Sequence, residues 1–289
     1  MWTRSSPGFK RFAAAAILLL VAFAWPLAGL VRFALADELL SYIPLIPLVS
    51  AYLAWQERPY PADDAPTRRL WALLPAAAGA ALLAAFWLTR GRLRPVDAYA
   101  LTTGAFLLGL AAAAVCFLGR KTLAKAAFPL GFLIFIVPMP HVLRTHLETG
   151  LQHASAVAAG WLFSASFTHF TRAGLLLHLS DITLEVAPEC SGIHSTWVLL
   201  ITSVLAAHLF LRRPWHRAAV VVAVLPLAIL RNGFRIFVIG QLCIHLGPDM
   251  IDSPIHHQGG PIFFLLSLIP FLLLLGWLRR AEFPTGAPS

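Results

Sequence analysis

Long apolar runs separated by short polar stretches pattern the whole chain. They fall at Phe12–Ala36, Leu39–Trp55, Leu70–Leu88, Ala98–Leu118, Leu123–Pro138, Ile193–Leu211, Ala218–Leu246 and Pro261–Leu278. A helix needs about 20 mostly apolar residues to cross the hydrocarbon core of a bilayer. Each run therefore predicts one membrane-spanning helix. The first run follows Arg4, Lys10 and Arg11 and imitates a signal peptide. It is longer than a signal's apolar region and further spans follow, which predicts an uncleaved first helix. The fifth run is short and ends in prolines; the seventh is long and contains Arg231 and Arg235.

Between the fifth and sixth runs lies the longest stretch that reads as non-spanning, His141 to Cys190. Its first part, His141–Phe170, mixes apolar residues with His146, His153, His169, Arg144 and Glu148, as an interfacial helix or re-entrant segment does. Further on, Ile182, Leu184 and Val186 alternate with Asp181, Thr183 and Glu185, which predicts a short hairpin or strand lying over the membrane. The fold expected is an all-α polytopic membrane bundle of about eight helices with an extracytoplasmic interfacial segment between helices five and six. It is read as one transmembrane domain over residues 1–289, with the chemistry at about 141–264.

Composition agrees: 59% of residues are hydrophobic and 12% charged, where soluble domains carry about 25% charge. A water-soluble globule and a disordered chain are both excluded. The net charge of +9 changes the picture only through its placement. With the N-terminus inside, 14 of the 22 Lys and Arg residues fall in inner loops or at the termini. Cytoplasmic loops carry such an excess, so both termini are expected in the cytoplasm. Arg90, Arg92 and Arg94 alone oppose this orientation as a loop. No basic helix or aromatic-interleaved patch appears, and nucleic acid is not an expected partner.

Polar groups at membrane depth are costly and point to function. Four places stand out. In Pro188-Glu189-Cys190-Ser191-Gly192, Cys190 falls at the start of the sixth helix, where the helix dipole favours a thiolate; taken alone, an ordinary small residue at a helix start is the plainer reading. Arg231 and Arg235, flanking Asn232 and Gly233, share a helix face. They serve either chemistry or lipid phosphates at the outer interface. From Ala218 to Arg235 the helix rises about 26 Å of a ~30 Å core, which places Arg235 just inside the outer leaflet. The loop Asp249–Gly260 holds His256 and His257, with His245 before it. No metal-ligand pattern accompanies them, and a histidine acting as acid or base is the better reading. His194 follows Cys190 by four residues, as a rival base or a packing residue. Cys116 and Cys243 lie in apolar runs and read as packing residues. A thiol, a guanidinium and an imidazole on one side of a bilayer suit nucleophilic cysteine catalysis. No metal or cofactor is expected.

These residues resemble the exosortase/archaeosortase family of membrane transpeptidases. Val186–Ile193 resembles the nucleophile motif around C-S-G, and Asn232-Gly233-Phe234-Arg235 resembles N-x-x-R. His256 to Phe264 fits H-x-x-x-G-x-x-x-F. Ile43–Trp55 and the stretch from Phe128 to Pro140 are also similar. The order is kept from about residue 39 to 278. Glu189 departs from the small residue commoner there, and the doublet leaves His256 and His257 as alternatives. The resemblance implies Cys190, Arg235 and His256 as the catalytic set, with His257, Arg231, His194, Asn232 and Ser191 as supporting or alternative residues. It implies secreted protein substrates bearing a C-terminal motif, a transmembrane helix and a basic cluster. These would be cut at the outer face of the cytoplasmic membrane and passed to a lipid or surface-glycan acceptor. The competing expectation is a transporter or channel handling anions or protons through Arg231, Arg235 and the loop histidines. A non-catalytic scaffold or lipid-binding protein is the third. If a helix begins around His256, Gly260 is expected to admit another helix closely, with Phe264 packed below.

Overall fold

A computed structural model describes residues 7–58, 69–179, 182–187, 191–247, 249–250 and 260–283. The chain divides into two compact units, Met1–Leu143 and Arg144–Ser289.

The first unit is wholly helical among its described residues. It holds α1 (Pro7–Ala22), α2 (Ala24–Ala36), α3 (Leu45–Gln56), α4 (Leu73–Thr89), α5 (Pro95–Phe117) and α6 (Arg120–Phe132), with short 3₁₀ turns between several of them. The first apolar run is therefore two helices, bent by 67° at Phe23. Pro26 explains the bend: it has no N–H to offer the carbonyl of Ala22, and its ring crowds that carbonyl. α5 packs against both α4 and α1. Its start is set by Pro95 in the first turn and Asp97 beside it. After α6 a 3₁₀ turn, Leu133–Ile136, runs into Val137-Pro138-Met139-Pro140. Val137, preceding a proline, is extended, and the helix ends there.

A long helix follows, α7 (His141–Ala165). The backbone N–H of His141 donates to Asp97 Oδ1 at 2.8 Å. Two of the three arginines that oppose the charge rule have local partners: the Arg90 guanidinium lies 4.7 Å over the Trp87 ring, and Arg94 meets His141.

In the second unit α7 leads into β1 (Phe170–Ala173), β2 (Leu176–Leu179) and β3 (Thr183–Glu185), an antiparallel sheet in that order. Gly174, at φ 65°, takes the left-handed turn between β1 and β2. Leu177 lies opposite Leu184. The alternation seen in the sequence is the burial pattern: Leu184 and Val186 are buried, Thr183 and Glu185 exposed. β1 lies outside the expected hairpin, because Phe170-Thr-Arg-Ala carries no alternation of its own.

Among the described residues three α-helices complete the unit, α8 (Ile193–Phe210), α9 (Pro214–Leu246) and α10 (Gly260–Glu282). At 33 residues α9 is about 50 Å long, well beyond a ~30 Å hydrocarbon core. Its C-terminal part supports the sheet: Leu177, Leu179, Leu184 and Val186 form one buried cluster with Ala156, Ala159 and Phe163 of α7 and Ile236 of α9. α7 and α9 approach closely, since a Cβ on Gly233 would sit 2.6 Å from the Ala158 Cβ. A second cluster joins α8, α9 and α10 through Leu199, Val220, Val224, Phe271 and Leu275. At the far end Glu282 accepts the backbone N–H groups of Arg212 and Arg213 and pairs with His216.

Among the described residues six helical segments are long and apolar enough to cross a membrane, and counting each of two bent pairs, Pro7–Ala36 and Arg120–Ala165, as one span brings the number to eight. The chain is an all-α polytopic membrane bundle, as the hydropathy pattern predicts, with one small sheet added. Trp25, Leu88, Trp215 and Trp277 stand among many large apolar side chains exposed outward, as a lipid-facing surface requires.

Candidate functional site

The Ser191–Gly192 turn, α8, α9 and α7 assemble a buried polar cluster in the second unit. Gly192 precedes α8 in the left-handed conformation, φ 66° and ψ 18°. Its carbonyl accepts from the Thr196 hydroxyl at 2.7 Å, the Thr196 N–H at 3.0 Å and the Ser195 hydroxyl at 3.0 Å. Arg231 Nη2 reaches across from α9 to the same carbonyl and to Thr196 Oγ1, both at 3.3 Å. A Cβ on Gly192 would lie 2.9 Å from that Nη2. Glycine is thus required twice here, by φ and by the approaching guanidinium.

Arg231 is only 8% exposed. Its Nη1 is buried and has no hydrogen-bond partner among the described residues. Asn232, also buried, donates to Ser155 Oγ of α7 at 3.1 Å. Arg235 lies one turn further along α9, half-buried. His194 is half-buried in the first turn of α8, and Ser191 is buried, its hydroxyl 3.4 Å from the Ile193 N–H. Cys190, His256 and His257 lie outside the described residues, as do Pro188 and Glu189.

Both flanks of the 188–190 stretch are nevertheless fixed. On one side Gln152 Nε2 of α7 donates to the Val186 carbonyl at 2.8 Å, and Gln152 is buried. On the other, Arg231 holds the Gly192 carbonyl. Gln152, Ser155 and Thr196 are functional candidates that the motif reading passes over. The signal was present: Gln152 and Ser155 are polar residues in an apolar helix, where each unsatisfied group is expensive.

Gly260 departs from expectation. A Cβ there meets no atom of the described residues within 4 Å, so none of the described helices approaches this glycine closely. Phe264 does pack, against the cluster joining α8, α9 and α10. Cys243 is buried in α9 and Cys116 half-buried in α5, both free thiols. No three His, Cys, Asp or Glu side chains among the described residues are grouped as metal ligands are.

The family model for transmembrane exosortases (Exosortase_EpsH) matches residues 34–273. The chain belongs to the transmembrane exosortase family. The match covers α3 to α9 entire and most of α10, so it includes the whole polar cluster around Gly192 and Arg231. No curated protein and no solved structure matches the chain. Family membership supports a transpeptidase-type role in a multi-pass membrane protein.

Proposed function

We propose that this exosortase is a cysteine peptidase and transpeptidase that processes C-terminal sorting signals at the outer face of the cytoplasmic membrane. The observation that carries the reading is the family match over residues 34–273. The anchored flanks of the C-S-G segment support it. Positioning of a nucleophile carries much of its effectiveness, and the hydrogen bonds at Val186 and Gly192 hold the described residues on either side of that segment.

Cys190, as thiolate, attacks the carbonyl carbon of the scissile peptide. Arg235 carries the counter-charge for the tetrahedral oxyanion. His256 delivers a proton to the departing amine, leaving a thioester on Cys190. A lipid or surface-glycan nucleophile then takes the acyl group and releases the thiolate; water in its place gives hydrolysis. Arg231 has a different task. Its hydrogen bonds run to the turn before α8 and to Thr196, so it positions rather than reacts. That engagement also counts against the transporter reading, in which Arg231 would have to meet a passing ion.

Mass spectrometry of a candidate substrate's mature C-terminus tests the proposal. Wild type yields a shortened, acceptor-linked end, and Cys190→Ala yields the intact precursor at equal membrane abundance. Cys190→Ser is nearly as inactive, because a hydroxyl ionises far less than a thiol at neutral pH. Equal processing by wild type and Cys190→Ala rejects the thiol mechanism.

A further inference from the structure

The first unit contains a cavity of about 620 Å³ that the transpeptidase reading does not use. Its walls come from α1, α2, α3, α5 and α6, and they are almost wholly apolar: Leu30, Ile43, Pro47, Phe106, Leu110 and Leu133 are typical. The hydroxyl of Ser50, one of few polar groups on the wall, already donates to the Pro129 carbonyl at 2.7 Å. The interior therefore offers a ligand nothing but hydrocarbon contact.

One end differs. There Phe9 and Phe12 of α1, Trp55 in the last turn of α3, Arg58 after it, Leu118 after α5 and Thr122 of α6 line the space. These four chain segments meet: a Cβ on Gly8 would touch the Phe117 carbonyl, and Lys125 Nζ donates to the Glu57 carbonyl at 3.2 Å. Arg58 lines this end, and Lys125 reaches the Glu57 carbonyl beside it; the exposed Lys10, Arg11, Arg120 and Lys121 belong to the same helix ends. Glu57 is the one carboxylate among the described residues of these segments. Arg58 and Lys125 at the basic end of a hydrocarbon-lined slot match one chemistry, an acyl chain carrying an anionic headgroup. Basic pockets between membrane helices bind such headgroups.

We propose that this cavity is a specific site for an anionic phospholipid, with one acyl chain in the cavity and the phosphate among Arg58, Lys125 and the start of α6. The bilayer supplies the ligand from the leaflet at the basic end. Annular lipid, by contrast, would cover the outer faces without regard to headgroup.

The probe pair is phosphatidylglycerol and phosphatidylcholine with the same palmitoyl and oleoyl chains. The full-length protein is reconstituted with equal amounts of each, extracted into mild detergent, and its retained lipids are counted by native mass spectrometry. Wild type is expected to retain phosphatidylglycerol about five-fold or more over phosphatidylcholine, the equivalent of at least one cation–headgroup contact. Arg58→Gln/Lys125→Gln, both at exposed positions, brings the ratio close to one, whereas Arg90→Gln/Arg92→Gln, exposed cations that do not line the cavity, leaves it unchanged. Ala51→Phe, which adds a ring to the cavity wall, lowers retention of both lipids. Equal retention of the two lipids by wild type overturns the proposal, and so does a preference that survives Arg58→Gln/Lys125→Gln. Competition by soluble glycerol phosphate would reduce the site to a phosphate site and remove the acyl chain from it.

Discussion

Two arginines four residues apart carry the same charge on the same helix, yet their surroundings assign them different work. Arg231 is buried and holds the Gly192 carbonyl and Thr196; Arg235 is half-buried one turn on. Arg231→Ala leaves the Gly192 turn without its brace and is expected to cost about 1–3 kcal/mol of stability, read as a lower Tm in detergent. Arg235→Ala is expected to keep the wild-type Tm while losing about 10²–10³ in processing rate, the usual cost of one oxyanion donor. Arg235→Lys fails nearly as badly, because an ammonium lacks the rigid fork of donors. A stable, inactive Arg231→Ala beside an active Arg235→Ala would exchange the two roles. His256 and His257 are separated by the same assay: His256→Ala loses most activity, whereas His257→Ala keeps much of it. The motif reading could point to Arg231, Asn232 and Ser191 because charges and amides in an apolar run are conspicuous. It could not foresee that the Arg231 guanidinium closes on Gly192, or that Gln152 reaches Val186, because both depend on chain segments far apart in sequence.

At the scale of elements, hydropathy predicts the six uninterrupted spans to within a few residues, as with Leu70–Leu88 against Arg69–Thr89. Burial in lipid is a property of composition over a window, which is what the sequence displays. It fails where geometry depends on a single residue. Pro26 splits the first run, and the sheet gains a strand through the turn at Gly174. Helix-on-helix approach is equally hidden, since a glycine in an apolar run does not say which neighbour it admits. Gly233 admits α7, whose Ala158 Cβ and Ala159 N would lie 2.6 and 3.1 Å from an added Cβ. Gly260 admits none of the described helices. Gly233→Val is therefore expected to destabilise by about 1–3 kcal/mol through overpacking, and to weaken the Asn232–Ser155 hydrogen bond beside it. Gly260→Ala is expected to leave the Tm unchanged. Thermal unfolding of the two variants in the same detergent checks the pair; equal losses would contradict the packing described here.

Each unit, taken as a whole, is polarised. In the first, the basic residues Lys10, Arg11, Arg58, Arg120, Lys121 and Lys125 gather where α1 and α6 begin and α3 and α5 end. In the second, Arg212, Arg213, Arg217, Arg279 and Arg280 gather where α8 and α10 end and α9 begins, and Glu282 ties these ends together. The sheet and the Gly192 turn occupy the other end of α8 and α9. Lys and Arg are retained in the cytoplasm during insertion. The basic end of the second unit is thus expected inside, and the sheet with the C-S-G segment outside. Three helices, α8, α9 and α10, separate the sheet from the C-terminal end, so the two must lie on opposite sides of the membrane if each helix crosses once. Exposed single cysteines, in a background lacking the three native ones, read this directly. Arg172→Cys on β1 is expected to react with an impermeant maleimide in intact cells. Ala281→Cys near the end of α10 is expected to react only after the membrane is opened. Reversed labelling would turn the chain over and put the proposed thiol on the cytoplasmic face, where secreted substrates could not meet it. Labelling of both sites from the same side would show that one of the three helices does not cross.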